Sequence, residues 1–398
     1  MIKAQIVADS KNGFGNRLTT FVVTFPRIIL AELNTHRMFS RNSASSRAIP
    51  IEKMVESAQK SPFIPIGWHK DHKGMQGTEY FGDETITYTP EKWLGEAYTG
   101  STAKLLTWLW LKAATLAVGA AKALNYIGVT KQLCNRLLEP FMWHTAIITA
   151  TEFENFFALR CPQYLLYDRT PRLVRFRSRK DAIKQMPDLQ AEGIRTKTMS
   201  DMDWLLLNKG QAEIHIMALA EAMWDAYNES TPKELKAGEW HIPFGDQTDL
   251  VQVAQTLMKR NEAPGWDDTY ETECEFDSDP NSFYQTYLTP ALVKIATARC
   301  ARVSYTVLGE ESKAPNYEND IKLHDRLFES GHMSPFEHIG QAMFRDEYDT
   351  YHNGRLRDYS STGEGYHPDE ENLGWNGNFR GFIQYRKMLP NENRTVKS

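Results

Sequence analysis

The chain has 398 residues, of which 41% are hydrophobic, 24% are charged and 12% are aromatic. This composition is typical of a globular protein with a sizeable core, in one large domain or two ordinary ones, and it excludes a disordered or fibrous chain. The formal net charge of -5 gives no general reason to expect nucleic acid as a partner, since that usually requires a basic surface.

The four cysteines favour a reduced, cytoplasmic protein. They form no CxxC pair and no spacing typical of metal ligands, so we predict neither a disulfide framework nor a metal site. Residues 1–13 lack the charged-then-apolar arrangement of a signal peptide. Residues 105–121 are apolar, but they are fewer than the roughly 20 residues of a membrane span and Lys112 interrupts them. We therefore predict a buried core helix there and no membrane contact.

The first predicted elements are a strand and a polar loop. Residues 19–33 begin with alternating β-branched residues, which favour a strand; after Pro26 the chain either continues as a strand or starts a helix. Residues 34–50 are polar and rich in Ser and Arg, which favours a loop or a helix entrance. Residues 90–160 have a helical pattern, with a break at Pro140.

Further helices are predicted along the second half of the chain. Residues 211–227 place apolar side chains three and four positions apart, which predicts an amphipathic helix. The basic segment 168–180 has two open interpretations, an anion-binding patch or a solvated strand. Residues 290–305 and 321–330 are predicted to be helix or strand on either side of a loop at 309–318.

Two later segments are predicted to be irregular. Residues 262–281 are acidic and rich in turn-forming residues, which indicates a linker or a surface excursion; we place this acidic linker at 247–289. Residues 353–378 are rich in Gly and Asn and predict a long loop. Long loops inside compact proteins are often functional.

The segment with the most chemical information is 35–48, THRMFSRNSASSRA. Common nucleotide-binding and hydrolase signatures, such as GxGxxG, GxxxxGK[ST], GxSxG and HExxH, do not occur in the sequence. Guanidinium groups bind phosphate or carboxylate bidentately, and short hydroxyl and amide side chains complete a polar pocket. The segment therefore predicts either a site for a phosphorylated ligand or a polar helix-capping loop.

This arginine-rich segment resembles the signature RHRxxSxNExSxRY of flavin-dependent thymidylate synthases. The positions that match the signature are His36, Arg37, Ser40, Asn42, Ser45 and Arg47. The positions that depart from it are Thr35, Ser43 and Ala48. The family match therefore covers both the arginines and the short polar side chains of the segment.

Other segments resemble the same family, but in a different order along the chain. Residues 298–305 (ARCARVSY) and 331–338 (GHMSPFEH) resemble the family segments AARVSY and GHxSPFEH, which in the family precede the arginine-rich signature. Residues 155–160 (NFFALR) and 211–214 (QAEI) resemble the C-terminal helices of the family. The altered order implies a circular permutation, with residues 161–209 as an insertion.

We interpret the last segment of the sequence as a remnant of this permutation. Residues 384–394, QYRKMLPNENR, resemble a degraded second copy of the arginine-rich signature. Arg386, Asn391 and Glu392 keep its spacing, and the Asn-Glu pair would supply the Glu that Ser43 replaces. A coincidental basic tail is the alternative.

The resemblance implies an α+β fold, in which a mixed or antiparallel sheet packs with long helices as in thymidylate synthase-complementing proteins, here permuted. Residues 1–246 would carry the arginine-rich segment and the C-terminal-type helices, and residues 290–398 would be equivalent to the N-terminal segment of the family. With the acidic linker between them, both parts are expected to form one globular unit. The family also implies a homotetramer whose subunits share active sites.

The resemblance implies the reductive methylation of dUMP to dTMP. FAD would be the cofactor, with methylenetetrahydrofolate as the carbon donor and NADPH as the reductant, and no cysteine nucleophile would be needed. Two alternatives stay open. One is a related modification at pyrimidine C5, either hydroxymethylation of dUMP or methylation of dCMP, and the other is a non-catalytic nucleotide- or flavin-binding relative.

The resemblance also implies roles for particular residues. The expected catalytic residues are Ser45 and Arg160, of which Arg160 would contact the uracil ring and stabilise developing charge. The expected substrate-binding residues are Arg47, Arg136, Asn155 and His332. The expected cofactor-binding residues are His36, Arg37, Ser40, Asn42, Ser304, Ser334 and Glu337.

Two local features qualify these assignments. An Asn and an Arg that contact flavin in the family are replaced here by Thr149 and Thr151. Ser334 and Glu337 have the spacing of a capping box, with Pro335 at the first helical position, so they are also expected to begin a helix.

Overall fold

The structure is a computed structural model that describes residues 2–73, 77, 79–89, 91, 97–167, 172–186, 196–264, 283–305, 316–345 and 378–390. Helices and sheets are mixed along these residues, which is consistent with the predicted α+β class. Most of the loop predicted at 353–378, part of the loop predicted at 309–318, and the residues Asn391 and Glu392 lie outside the described residues. The permuted arrangement and the division into parts stay predictions.

The strands and helices have the following bounds. The strands are β1 (Lys3–Asn12), β2 (Arg17–Pro26), β3 (Ser40–Ser43), β4 (Trp68–His69), β5 (Tyr80–Phe81), β6 (Thr85–Tyr88), β7 (Tyr98–Ser101), β8 (Trp143–Ala150), β9 (Tyr164–Tyr167), β10 (Leu173–Phe176), β11 (Lys233–Leu235), β12 (Trp240–His241), β13 (Gly340–Ala342) and β14 (Phe382–Gln384). The α-helices are α1 (Leu30–Asn34), α2 (Ile51–Lys60), α3 (Thr102–Ile127), α4 (Lys131–Arg136), α5 (Glu154–Arg160), α6 (Arg179–Gln185), α7 (Asp201–Leu207), α8 (Ile214–Glu229), α9 (Leu250–Lys259), α10 (Thr289–Arg302) and α11 (Tyr317–Ser330).

A five-stranded sheet forms the centre of the described structure, in the order β11-β1-β2-β8-β3. The short β11 runs parallel to β1, and the other neighbouring strands are antiparallel, so the sheet is mixed. In the register of β2, β8 and β3, Thr20 lies opposite Thr149, and Thr149 lies opposite Ser40. Because side chains alternate between the faces of a strand, these three hydroxyl groups lie in one row on the same face.

The two faces of the sheet are covered by different parts of the chain. One face carries Phe21, Val23 and Phe25 and packs against α5 and α8. The opposite face packs Ile147 against Val293 and Cys300 of α10, and Leu18 against the residues around β14. The predicted amphipathic helix at 211–227 is confirmed as α8, and its apolar stripe supplies much of the first core.

The prediction of a helical pattern at 90–160 with a break at Pro140 was only partly right. α3 covers the apolar residues 105–121 and buries one face, while Trp108 and Leu116 on the other face are exposed. Residues 143–150, however, form the strand β8, in which every residue after Trp143 is buried. Periodicity does not distinguish a short apolar run of this kind from a helix. After Pro26 a single 3-10 turn leads into α1. No helix in the described residues is long and apolar enough to cross a membrane.

Two other predicted segments also need correction or refinement. The first part of the linker predicted at 247–289 contains α9, which packs into a common core with α10 and α11, whereas residues 265–282 lie outside the described structure. The basic segment 168–180 contributes the strand β10, and Arg177, Arg179 and Lys180 form ion pairs with acidic residues of neighbouring elements. These paired charges favour the strand interpretation over an anion-binding patch.

Candidate functional site

The arginine-rich segment is held in place by backbone pairing and by a buried amide. Its middle part forms β3, which adds to the sheet as an edge strand beside β8. After β3, the backbone N–H of Ala44 donates to the carbonyl of Thr145 over 2.9 Å. The amide Nδ2 of Asn135, which is fully buried, donates to the carbonyls of Ser46 and Ile49 over 2.8 and 3.0 Å. The loop that carries Ser45 and the adjoining residues therefore has a fixed course.

The end of α5 brings Arg160 to His36. Nε of Arg160 donates to Nε2 of His36 over 3.0 Å, so this ring nitrogen carries no proton. Burial, together with the charges of Arg160 and Arg41, lowers the pKa of His36 to about 4 and keeps the ring neutral at neutral pH. Nη1 of Arg160 lies 3.8 Å from a carboxylate oxygen of Glu32. The guanidinium is therefore oriented by one ring and one carboxylate.

The segment 298–305 contacts the arginine-rich segment from the other face of the sheet. Nδ2 of Asn42 donates to the carbonyl of Cys300 over 2.9 Å, and the Ser304 hydroxyl donates to Oδ1 of Asn42 over 3.0 Å. The backbone N–H of Ser45 donates to the carbonyl of Ser304 over 3.0 Å. The predicted cofactor residues Asn42 and Ser304 thus tie two distant segments together.

The segment 331–338 completes the surroundings of β3, but it does not form the predicted capping box. Residues 334–338 form a single 3-10 turn, in which Met333 occupies the capping position and Ser334 is exposed without a capping hydrogen bond. The carboxylate of Glu337 instead forms an ion pair with Arg386. Its negative charge also attracts the guanidinium group of Arg41. This tertiary ion pair removes Glu337 from the role that its local sequence predicts.

Two further arginines of the segment and one arginine of α4 place positive charge at the surface of the candidate site. Arg37, Arg47 and Arg136 are exposed, and among the described residues none of their guanidinium groups has a carboxylate partner. Arg136 follows Asn135, the buried anchor of the loop, and its charge adds to burial in lowering the pKa of Arg27 nearby. Unpaired guanidinium groups of this kind suit the binding of phosphate.

Three predicted site residues are not joined to this cluster by their side chains. Asn155, His332 and Ser334 are exposed, and the ring of His332 contacts the hydroxyl of Ser330 over 3.0 Å. Their roles stay predictions. Within the described ranges, no three His, Cys, Asp or Glu side chains gather in a way that could hold a metal ion.

A buried polar chain behind the segment was not foreseen from the sequence. The hydroxyls of Thr20 and Thr149 lie 2.8 Å apart; Thr20 contacts Nε2 of His241 over 2.8 Å, and Thr149 contacts Nδ1 of His338 over 2.9 Å. Nδ1 of His241 continues the chain to the hydroxyl of Ser10 over 2.9 Å. Burial lowers the pKa of both histidines to about 3, so the chain is neutral.

The two positions that depart from the family's flavin contacts have partners within the protein. Thr149 lies in the buried chain, and the hydroxyl of Thr151 accepts a hydrogen bond from the backbone N–H of Arg380 over 3.1 Å. The signal in the sequence was the pair of threonines, Thr19 and Thr20, at the start of an alternating strand. Nothing local indicated which residues they would contact.

Three cavities of the described structure lie away from the arginines of the segment. One of about 360 Å³ is lined by Ser10, Trp240 and Tyr284, and a groove of about 480 Å³ runs between α2 and α3. A small cavity of about 20 Å³ lies beneath the segment, between Ser46 and His144. None of these three cavities is lined by the arginines of the segment.

Comparisons with known proteins give only distant similarities. No protein-family model matches the chain, and no curated protein matches it. A structure of the UMP/dUMP methylase PolB from Streptomyces cacaoi bound with 5-Br UMP is 14% identical, over 40% of this chain and 77% of that chain, with a TM-score of 0.27. A second structure of the same enzyme, bound with 5-Br dUMP, is 13% identical over 57% of this chain and 91% of that chain, with a TM-score of 0.32. Similarity at this level carries no argument about the reaction.

Proposed function

We propose that this chain modifies C5 of a pyrimidine nucleotide, as a flavin- and folate-dependent thymidylate synthase acting on dUMP. The observation that carries the proposal is that segments far apart in the sequence meet at one strand. Arg160 contacts His36, Cys300 and Ser304 contact Asn42, and Glu337 faces Arg41. These are the segments that resemble the family. A polar helix-capping loop would explain none of these long-range contacts.

In this proposal the exposed arginines bind the phosphate of the nucleotide. Arg47 lies within the loop that Asn135 anchors, Arg136 directly follows Asn135, and both side chains are exposed. The hydroxyl of Ser45 accepts a hydrogen bond from the backbone N–H of Arg47 over 3.3 Å, which leaves the hydroxyl hydrogen to donate to a ligand. Ser45 and Arg47 would therefore bind the same nucleotide from adjacent positions.

Arg160 is proposed to act on the pyrimidine ring. His36 and Glu32 orient its guanidinium, and a fixed positive donor of this kind stabilises negative charge that develops on a ring carbonyl. Because His36 accepts from Arg160, its proton resides on Nδ1, where it is available to a ligand. Because the ring of His36 is neutral, it does not neutralise the positive charge of Arg160.

The proposal includes FAD as cofactor, because exposed Arg37 offers an anion-binding group beside the neutral ring of His36. When bound, the flavin would supply the hydride, methylenetetrahydrofolate the carbon, and NADPH the reducing equivalents. The side chains of this chain would bind and orient these molecules. A homotetramer that shares active sites, as the resemblance implies, is part of the proposal, since Arg37, Arg47 and Arg136 are exposed in a single chain.

A related C5 modification is the second candidate, favoured by one specific observation. Thr149 and Thr151 replace two flavin contacts of the family, and both use their hydroxyls for contacts within the protein. An altered cofactor geometry of this kind would suit hydroxymethylation of dUMP or methylation of dCMP. The substrate-side arginines would keep their roles in either reaction.

Product mass tests both candidates. Purified protein is incubated with FAD, NADPH and methylenetetrahydrofolate, with dUMP or dCMP offered separately, and the nucleotides are analysed by mass spectrometry. We expect the wild-type protein to form dTMP from dUMP, and we expect Arg47→Ala and Arg160→Ala to abolish this product. Arg175→Ala, at an exposed arginine of β10, is the matched control and should retain activity.

The remaining outcomes separate the candidates. Hydroxymethyl-dUMP or a modified dCMP would select the second candidate while keeping the assigned arginines. A colourless protein that retains no flavin and forms no product from either nucleotide would reject both candidates and leave the segment with a purely structural role.

A further inference from the structure

We propose that residues 378–390, termed here the C-terminal strap, help to form the candidate site. Gln384 and Arg386 of the strap act as positioning residues for Ser40 and Glu337. The inference rests on the proposed function, since it concerns side chains that would surround the nucleotide and the flavin. It goes beyond the family resemblance, which assigns roles to Ser40 and Glu337 but none to the strap.

The strap determines the direction of the Ser40 hydroxyl. Nδ2 of Asn378 donates to Oγ of Ser40 over 2.9 Å, and Nε2 of Gln384 donates to the same oxygen over 3.1 Å. A serine oxygen has two acceptor positions, so both are occupied and the hydroxyl hydrogen points in the one remaining direction. All three side chains are buried, which prevents water from replacing either donor. The strap thus converts a freely rotating hydroxyl into a donor of fixed orientation.

The same strap also fixes Glu337, in a different segment of the site. Arg386 forms an ion pair with the Glu337 carboxylate, and Nε2 of Gln384 donates to the Glu337 carbonyl over 3.2 Å. The side chains of this pair are 29% and 21% exposed, so the pair is only partly screened by water. Arg41 faces the same carboxylate from β3. Gln384 therefore connects Ser40 of the arginine-rich segment with Glu337 of the segment 331–338.

The strap is packed and anchored rather than lying loosely on the surface. Phe379 and Phe382 are fully buried in a common core with Leu18. The carbonyl of Gly381 accepts from Nδ2 of Asn12 over 2.7 Å, and the carbonyl of Asn378 accepts from the backbone N–H of Thr151 over 2.9 Å. A coincidental basic tail would need none of these contacts. The anchoring makes the strap rigid enough to orient its neighbours.

The test compares Arg386→Ala, Arg386→Lys and Gln384→Met with the full-length wild-type protein. Arg380→Ala is the matched control, because the side chain of Arg380 is exposed and its hydrogen bond to Thr151 is donated by the backbone N–H. Hydrogen exchange of the free protein is measured by mass spectrometry over residues 36–47 and 331–342. Affinity for dUMP is measured by calorimetry, and KM and kcat by the product assay.

We expect Arg386→Ala to increase exchange over 331–342 and Gln384→Met to increase it over both segments. Each should weaken dUMP binding and raise KM about ten-fold, as for the loss of one hydrogen bond that involves a charged or buried group. Arg386→Lys should recover much of this loss, and Arg380→Ala should match the wild type. In a Glu337→Gln background, Arg386→Ala should have little further effect, since the two residues act as one pair.

The inference is overturned if Arg386→Ala and Gln384→Met leave exchange over both segments at the wild-type level. It is also overturned if exchange changes while dUMP affinity and KM do not, because the strap would then be structural only. A wild-type protein that binds no dUMP and forms no product would reject the proposed function instead. The exchange comparison would still decide whether the strap orders the two segments.

Discussion

Buried neutral histidines predict a steep loss of stability in mild acid. Burial lowers the pKa of His144, His241 and His338 to about 3, and burial with nearby guanidinium groups lowers that of His36 to about 4. An unfolded histidine titrates near 6.5. Because the folded-state pKa is the lower one, each histidine contributes stability that is complete above about pH 6.5 and is lost as the pH falls toward the folded-state pKa.

The magnitude follows from the protons taken up on unfolding. Near pH 5.5 each unfolded histidine binds almost one proton that its folded counterpart does not, which changes the unfolding free energy by about 1.4 kcal/mol per pH unit. Glu221 acts in the opposite direction, because burial raises its pKa to about 7 and the folded state holds a proton there that the unfolded state releases. For these five groups the net uptake is about three protons, or about 4 kcal/mol per pH unit near pH 5.5. Integrated between pH 7 and pH 5, the loss is about 5 kcal/mol, which is a third or more of a total stability of about 5–15 kcal/mol.

Urea unfolding at pH 7, 6 and 5, followed by tryptophan fluorescence, measures this slope. His338→Gln should remove about one proton from the uptake, relative to the wild type. His332→Gln is the matched control, because this ring is exposed and outside the buried chain. An unfolding free energy that stays constant from pH 7 to pH 5 would refute the reasoning, since the buried rings would then have to accept protons in the folded state.

Three substitutions test other parts of the structure. Thr149→Val removes the hydroxyl that contacts buried His338 and should lower the unfolding free energy in urea by about 1–3 kcal/mol; no change would mean that the ring finds another partner. Gly381→Ala places a Cβ 2.3 Å from Nδ2 of Asn12 at a φ of +77°, so the thermal midpoint should fall by several degrees, and an unchanged midpoint would contradict the geometry. Arg160→Lys should lower kcat about ten-fold with little change in thermal midpoint, because an ammonium group does not reproduce the oriented pair of N–H donors of a guanidinium. A variant with wild-type kcat would show that Arg160 does not stabilise the transition state.

The predictions from the sequence were correct for features that depend on residues close together in the chain. The alternation of residues 19–25 predicted β2, and the spacing of apolar residues at 211–227 predicted α8. The arginine-rich segment could be identified because its polar side chains are concentrated in one short stretch. In each of these cases, the residues that determine the feature are neighbours in the sequence.

Sequence reasoning failed where distant residues decide the structure. The polar stretch SRNS becomes β3 only because β8 offers a hydrogen-bonding edge. The residues of the motif SPFE favour a helix start, but Glu337 pairs with Arg386 and the turn ends after residue 338. The contacts of Thr20 with His241 and of Ser40 with Gln384 span most of the chain, and no periodicity within either segment could indicate them.

The polar contacts lie mainly where the first and last parts of the described chain meet, and this placement has a consequence for the site. An apolar interface can slide or repack at little cost, whereas a buried row of hydroxyls, amides and imidazoles is satisfied in one arrangement only. A shift of one residue at β3 would point Ser40 away from Asn378 and Gln384 and leave these buried groups unpaired. We therefore expect the polar layer to fix the register between the two parts. That register is what places Arg41 and Glu337 opposite each other.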